Sequence, residues 1–136
     1  MNWSRFAFVG SVFLLLIFTV GCNSSKKIVS NGVEDFDQFY DRFHADEGFQ
    51  MSRILFPLEG SSVDADGERI WTSDNWIPLK VKIYDIDNVT YKIDFHKGED
   101  SFVQKFWLPG TGFSAEYRFK RIDNLWYLVY AFDSNL

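Results

Sequence analysis

The chain has 136 residues, 14 Lys+Arg against 19 Asp+Glu, a formal net charge of −5, and 15 Phe, 6 Tyr and 5 Trp but a single Cys. At this length one domain with its own core is expected. A lone Cys has no partner within the chain, so no internal disulfide forms. The acidic balance excludes a nucleic-acid binder, which needs Lys and Arg to neutralise phosphates.

Residues 1–21 are organised unlike the rest. Arg5 and the free amine give a positive start, and Phe6 to Val20 then runs for 15 residues without a charge. That is short of the ~20 residues a helix needs to cross a bilayer. A basic start, an apolar run and a small residue before a cut are the parts of a secretory signal. Thr19-Val20-Gly21-Cys22 resembles a bacterial lipobox, with Gly21 fitting and Thr19 departing from the usual large aliphatic residue. The resemblance implies a lipoprotein signal peptide over residues 1–21, with cleavage before an acylated, palmitate-type Cys22. Acyl chains contribute about 0.8 kcal/mol per buried CH₂, and two or more anchor a protein stably. Asn23 follows the Cys where an Asp would retain a lipoprotein at the inner membrane, so the implied address is the outer membrane, on its periplasmic or surface side. Removing residues 1–21 removes Arg5 and no acid, which leaves the mature chain still more acidic.

Cys22 with the polar stretch to Asn31 reads as a tether. Its nine residues after the Cys span at most about 30 Å. Lys26 and Lys27 read as solvated tether residues. No repeat and no second linker follows, so residues 32–136 read as one domain.

Glu34 to Phe43 is the clearest helix. Phe36, Phe39, Tyr40 and Phe43 fall at i, i+3, i+4 and i+7, one apolar stripe to be packed on a sheet. Asn31 is the expected cap, and Glu34, Asp35 and Asp37 suit the positive end of the helix dipole. Asp46 to Ser52 adds a second short turn or helix. Arg53 to Leu58 reads as a strand ended by Glu59-Gly60, with Pro57 placing it at an edge or a bulge. Asp66-Gly67 is a turn signal before Glu68 to Trp71. Leu79, Val81 and Ile83 alternate with polar neighbours and predict a strand, although Ile77, Val81 and Tyr84 also fit a helical face.

The C-terminal half alternates with period two: Val89 to Phe95, Phe102 to Leu108, and Phe113 to Lys120. Leu125 to Phe132 is apolar on both faces, which predicts a central strand or one covered on both sides. The connections are short, and Asp123-Asn124 is a tight hairpin signal. The fold class is therefore α+β: an N-terminal helix or helices packed on a curved, mostly antiparallel sheet.

The phrases FDQFYDRFHADEGFQMSRILFPLEG, SDNWIPL and EYRFKRIDNLWYLVY resemble a family of Bacteroides-group lipoproteins with a nuclear transport factor 2-like (cystatin-like) domain. The resemblance covers about residues 34–133. It implies a sheet curved round helices into a cone, often with a pocket. It implies no agreed activity, and no catalytic residue carries over. Fold alone does not establish function.

Neither His44 nor His96 has a His or Cys at metal-ligand spacing. His44 ends the first helix, where a partly charged imidazole suits the negative dipole end. Asp64-x-Asp66-Gly67 and Asp85-x-Asp87-Asn88 read as Asx turns, not calcium loops. No P-loop, G-x-G-x-x-G, H-E-x-x-H or G-x-S-x-G occurs. No catalytic residue, cofactor-binding residue or metal ligand is assigned. The Trp residues either fill the core or line a concave sheet. Trp71, Trp76, Asp94, His96, Trp107, Tyr117 and Trp126 are the candidate pocket residues.

The expectation is a lipid-anchored, non-catalytic module that binds a small apolar ligand or an envelope protein. A small hydratase- or isomerase-type enzyme and a glycan binder using exposed Trp are the alternatives. A homodimer is left open. The anchor has a direct test: the parent incorporates a clickable fatty acid, and the Cys22→Ala protein does not. Equal labelling of the two would refute it.

Overall fold

The computed structural model describes residues 32–136. The signal segment, Cys22, the tether and the Asn31 cap lie outside the described residues. Helix α1 runs from Phe36 to Ala45, two residues later than expected, because Asp35 caps it by accepting from the Gln38 N–H at 2.9 Å. Asp46 closes α1 through its own N–H to the Arg42 carbonyl and caps α2, Glu47–Ser52, by accepting from the Phe49 N–H. One residue thus ends one helix and starts the next, which sets the bend between them.

Ten residues do not make a stable helix alone, so α1 depends on burying its stripe. Phe36, Phe39, Tyr40 and Phe43 are all buried, as their spacing predicts. They pack on a six-stranded sheet of order β2-β1-β6-β5-β4-β3. The strands are β1 (Ile54–Asp64), β2 (Gly67–Trp71), β3 (Lys92–Lys97), β4 (Ser101–Trp107), β5 (Phe113–Ile122) and β6 (Leu125–Asn135). All neighbours are antiparallel except β1 and β6. Phe36 meets Phe102 at 4.7 Å and Trp126 at 4.8 Å between ring centroids, and Phe43 meets Phe119 edge-on at 5.2 Å. Each such ring contributes about 1.5–3 kcal/mol by leaving water.

Glu34 lies outside the helix and has another task. Its carboxylate takes both nitrogens of Arg53, at 2.8 and 3.0 Å, and accepts from the Trp126 N–H at 2.8 Å. Arg53 also donates to the Trp126 carbonyl. The approach to α1 is thereby fixed to the start of β1 and to β6, a central strand. The Asp123-Asn124 hairpin forms as predicted, with φ of 50° and 66°, the left-handed pair that a two-residue turn requires.

Three expectations change. Strand β1 does not stop at Glu59-Gly60 but continues to Asp64 through a bulge, where its pairing with β2 shifts between Leu58 and Ser61. Gly60 makes this passage with φ 96°; a Cβ there would sit 2.0 Å from the Ala131 carbonyl oxygen. Pro57 falls within the irregular stretch of the β1–β6 ladder, so the bulge alternative holds and the edge alternative does not. Strand β3 begins at Lys92, because Asp87 accepts from the Val89 N–H and the Thr90 hydroxyl and turns the chain first.

The third change is the largest. Leu79 to Tyr84 is neither strand nor helix. Residues 72–91 form a strap that leads from β2 at one sheet edge to β3 at the other, with a single 3₁₀ turn at Ile83–Asp85. Its apolar alternation is real, since Leu79 and Ile83 turn inward while Val81 is exposed. Its backbone partners are side chains. Gln50 accepts from the Leu79 N–H at 2.9 Å and donates to the Leu79 carbonyl at 2.8 Å. The Tyr40 hydroxyl accepts from the Ile83 N–H at 3.0 Å and donates to Gln104 at 2.5 Å.

Gln50 is 1 % exposed and makes two further bonds, donating to the Phe43 carbonyl and accepting from the Trp76 indole N–H. Its two donors and both sites on its oxygen are all used. Gln50→Leu keeps the bulk and leaves four polar groups without this partner. The expected loss exceeds about 3 kcal/mol in urea unfolding. A loss below about 1 kcal/mol would show that the strap is held otherwise.

Candidate functional site

One face of the sheet carries the core. Its narrow part is closed by Phe36, Phe39, Tyr40, Phe43, Phe102, Phe119 and Trp126, all buried. Beyond these rings the same face opens beside β3, at Ile93 and Phe95, and in two further clefts of about 280 and 340 Å³ that share Phe106 and Tyr117. The strap supplies Val81, Asp85, Ile86, Asp87 and Tyr91 to the 340 Å³ cleft and Ile77 to the smaller.

The polar centre between them is a pair. The Tyr117 hydroxyl donates to Asp133 Oδ1 at 2.6 Å. Tyr117 on β5 lies beside Ala131 of β6, and Asp133 lies beside Ala115. Tyr117 is buried and Asp133 half-buried. Burial, with the nearby Asp133 charge, pushes the Tyr117 hydroxyl well above its ordinary pKa, so it keeps and donates its proton. Burial also raises Asp133, against the opposing effect of the Tyr117 hydrogen bond. Among the described residues, Asp133 Oδ2 has no hydrogen-bond partner. Gln104 lines the larger cleft with its oxygen already taken by Tyr40.

The seven candidate residues separate into three groups. Tyr117 and Trp71 both line the smaller cleft, although the Trp71 N–H is engaged by the Ala131 carbonyl at 3.0 Å. Trp76 and Trp126 are core residues whose N–H groups bond Gln50 and the Glu34 carbonyl. Asp94 and His96 do share a strand face, but it is the outer face of β3, and both are exposed. Trp107 is half-buried on that outer face, paired with Lys92. His44 is buried beneath the strap side of α1. Its Nδ1 bonds the Tyr40 carbonyl at 2.8 Å and its Nε2 has no partner among the described residues. Burial holds its pKa down, so the ring is neutral and not the charged helix-end group expected. Both Asx turns form: Asp64 accepts from the Asp66 N–H and pairs with Arg69, and Asp87 acts as described above.

Asp133 is the residue that sequence reasoning missed. Strict alternation from Trp126 and Leu128 puts residue 133 on the outer face. The register shift opposite Arg118 and Phe119 leaves Val129 extra and turns Ala131 and Asp133 inward.

The comparisons agree with this architecture. A protein-family model matches residues 34–135. The chain belongs to the family this model describes, and its fold is that of NTF2-like and cystatin-like proteins. An NTF2-like protein from Bacteroides fragilis is 23% identical with a TM-score of 0.50, covering 76% of this chain and 48% of that one. The chain thus spans about half the length of that protein. A cystatin-like protein from Bacteroides caccae is 24% identical with a TM-score of 0.59, over 74% of this chain and 76% of that one. A protein from Bacteroides uniformis is 21% identical with a TM-score of 0.52, over 73% and 76%. At these identities the likeness is one of fold. No curated protein matches the chain.

The NTF2-like domain carries a pH signature at its pair. Folding raises the Asp133 pKa, so the folded chain holds this proton to higher pH than the unfolded one. Stability from this group is present below the ordinary carboxyl pKa and is lost as pH rises through the raised value. His44 has the opposite sign, losing stability as pH falls through its lowered value. Asp133→Asn is expected to gain stability relative to the parent as pH rises above the ordinary carboxyl range, read from urea midpoints. Identical pH profiles for the two proteins would contradict this.

Proposed function

We propose that this chain is a lipid-anchored envelope protein, held by Cys22, whose NTF2-like domain binds a small and mostly apolar molecule. The ligand's one polar end would meet the Tyr117–Asp133 pair. The observation that carries the reading is the 2.6 Å Tyr117–Asp133 bond at a wall shared by aromatic-lined clefts. Pockets that are apolar with a few convergent polar groups are the usual form of small-molecule sites.

The pair also indicates what the polar end is. Tyr117 spends its proton on Oδ1, and with Asp133 ionised Oδ2 accepts hydrogen bonds only. A ligand hydroxyl can donate to it, whereas a ligand carboxylate would be repelled. A neutral alcohol or phenol is therefore favoured over a fatty acid. Binding is favoured over turnover because neither His44 nor His96 lines either of these two clefts, so the Asp/His or Tyr/His pair of the enzyme alternative is not assembled there.

The test is a thermal-shift panel of phenols and medium-chain alkanols on the full chain. A ligand that binds only the folded state stabilises it by mass action, by about 2.7 kcal/mol at a hundred times its Kd, and so raises the midpoint. The expected result is a rise in the parent that Asp133→Ala abolishes. No rise with any member, or a rise that persists in Asp133→Ala, would overturn the reading.

A further inference from the structure

The outer face holds a separate cleft that meets the smaller inner one only at Phe113. It has a volume of about 620 Å³ and lies over the β4–β5 turn. It is lined by Trp107 and Pro109 and by the polar side chains of Asp94, Lys105 and Ser114; Phe113, at its edge, turns to the inner face against Phe106 and Tyr91. Asp94 lies directly opposite Lys105 across the β3–β4 ladder, and Trp107 lies opposite Ser114 across the β4–β5 ladder. Lys105 and Trp107, two apart on one strand, share a face at about 7 Å, and adjacent strands are about 4.8 Å apart. One six-membered ring can reach all three side chains.

These groups are uncommitted. Among the described residues, the Asp94 carboxylate and the Lys105 ammonium have no salt-bridge partner within 4.0 Å, even with each other, and the Trp107 indole N–H has no acceptor. The Lys105 nitrogen stands 6.0 Å from the Trp107 ring centroid. Trp107 differs in this from Trp71, Trp76 and Trp126, each of which spends its N–H inside the core. A half-exposed indole with a free N–H and an open face offers an apolar surface and a polar tip together.

The rim chooses the ligand chemistry. An anion would meet Asp94, and a cation would meet Lys105. A neutral molecule carrying several hydroxyls satisfies both, since a hydroxyl donates to the carboxylate and accepts from the ammonium or the indole N–H. A molecule that also presents a flat C–H face to the ring is a sugar. We propose that the Trp107 cleft binds a neutral carbohydrate, with one pyranose ring stacked on the indole and its hydroxyls bridging Asp94 and Lys105. This site lies on the opposite sheet face from Tyr117 and does not depend on the ligand proposed there.

The test uses the full chain in a detergent without a sugar headgroup, titrated calorimetrically with neutral hexasaccharides: malto-, cello-, xylo-, manno- and chitohexaose. The expected result is that at least one binds and that Trp107→Ala weakens it by about tenfold or more. Asp94→Asn, which keeps the side-chain shape, should weaken the same oligosaccharide, and Tyr117→Phe should leave it unchanged. If no member binds at up to roughly 10 mM, the proposal is overturned. Parent-like affinity in Trp107→Ala also overturns it. Where Trp107→Ala lowers the unfolding midpoint, Asp94→Asn decides, and an unchanged affinity there is equally fatal.

Discussion

The arrangement of this domain depends on one side-chain amide. Gln50, on a six-residue helix, bonds the end of α1, a core indole and both backbone groups of Leu79. A buried amide left half-satisfied costs more than it contributes, whereas a saturated one specifies a single geometry. Without it the strap would have no reason to cross the sheet where it does. The strap in turn supplies one wall of both inner clefts, so a residue that lines no cleft determines their shape. Tyr40 adds a second support of the same kind, from α1 to Ile83 on one side and Gln104 on the other.

The division of the sheet into two faces follows from aromatic supply. The inner face uses its rings to replace a larger core, and this closes the narrow part of the cone. Openings remain along the strap, over β3 at Ile93 and Phe95 and over β4, β5 and β6, where Gln104 and Asp133 interrupt the apolar surface. Among the described residues the outer face has no second layer. Its aromatics are instead covered by cations from neighbouring strands, as with Arg118 at 4.2 Å over Tyr130. That explains how Leu125 to Phe132 is apolar on both faces yet has helices on one. It also makes Lys105 and Trp107 notable, because they lie on the same face without the close stacking that Arg118 achieves.

Much of the fold was legible because it rests on local periodicity. The stripe Phe36, Phe39, Tyr40 and Phe43, the central position of β6 and the Asp123-Asn124 turn each follow from spacing or turn chemistry within a few residues. The strap was not legible, because its partners are side chains 29 and 43 positions away in sequence. An alternating pattern there reports burial of every second residue and says nothing about what pairs with the backbone. The site was half legible for a related reason. Tyr117 is on an unbroken strand, and its face could be counted. Asp133 lies beyond a bulge that reverses the count, and nothing in the local sequence marks where the extra residue falls. Asp94 and Trp107 were picked out as pocket residues without any means of knowing which side of the sheet would be concave.

The bulge at Gly60 separates what can drift in this lineage from what cannot. The Ala131 carbonyl receives the Trp71 indole N–H and also lies where any side chain at position 60 would go. Three strands therefore meet at one oxygen, and the glycine is demanded by geometry alone, whatever the protein binds. Positions 94, 105 and 107 carry no comparable obligation, since no neighbour relies on them for a hydrogen bond. Descendants of this fold can thus exchange the outer surface residue by residue while position 60 stays constant. A substitution in the outer cleft therefore breaks no side-chain hydrogen bond of the fold, whereas any side chain at the bulge meets the Ala131 carbonyl.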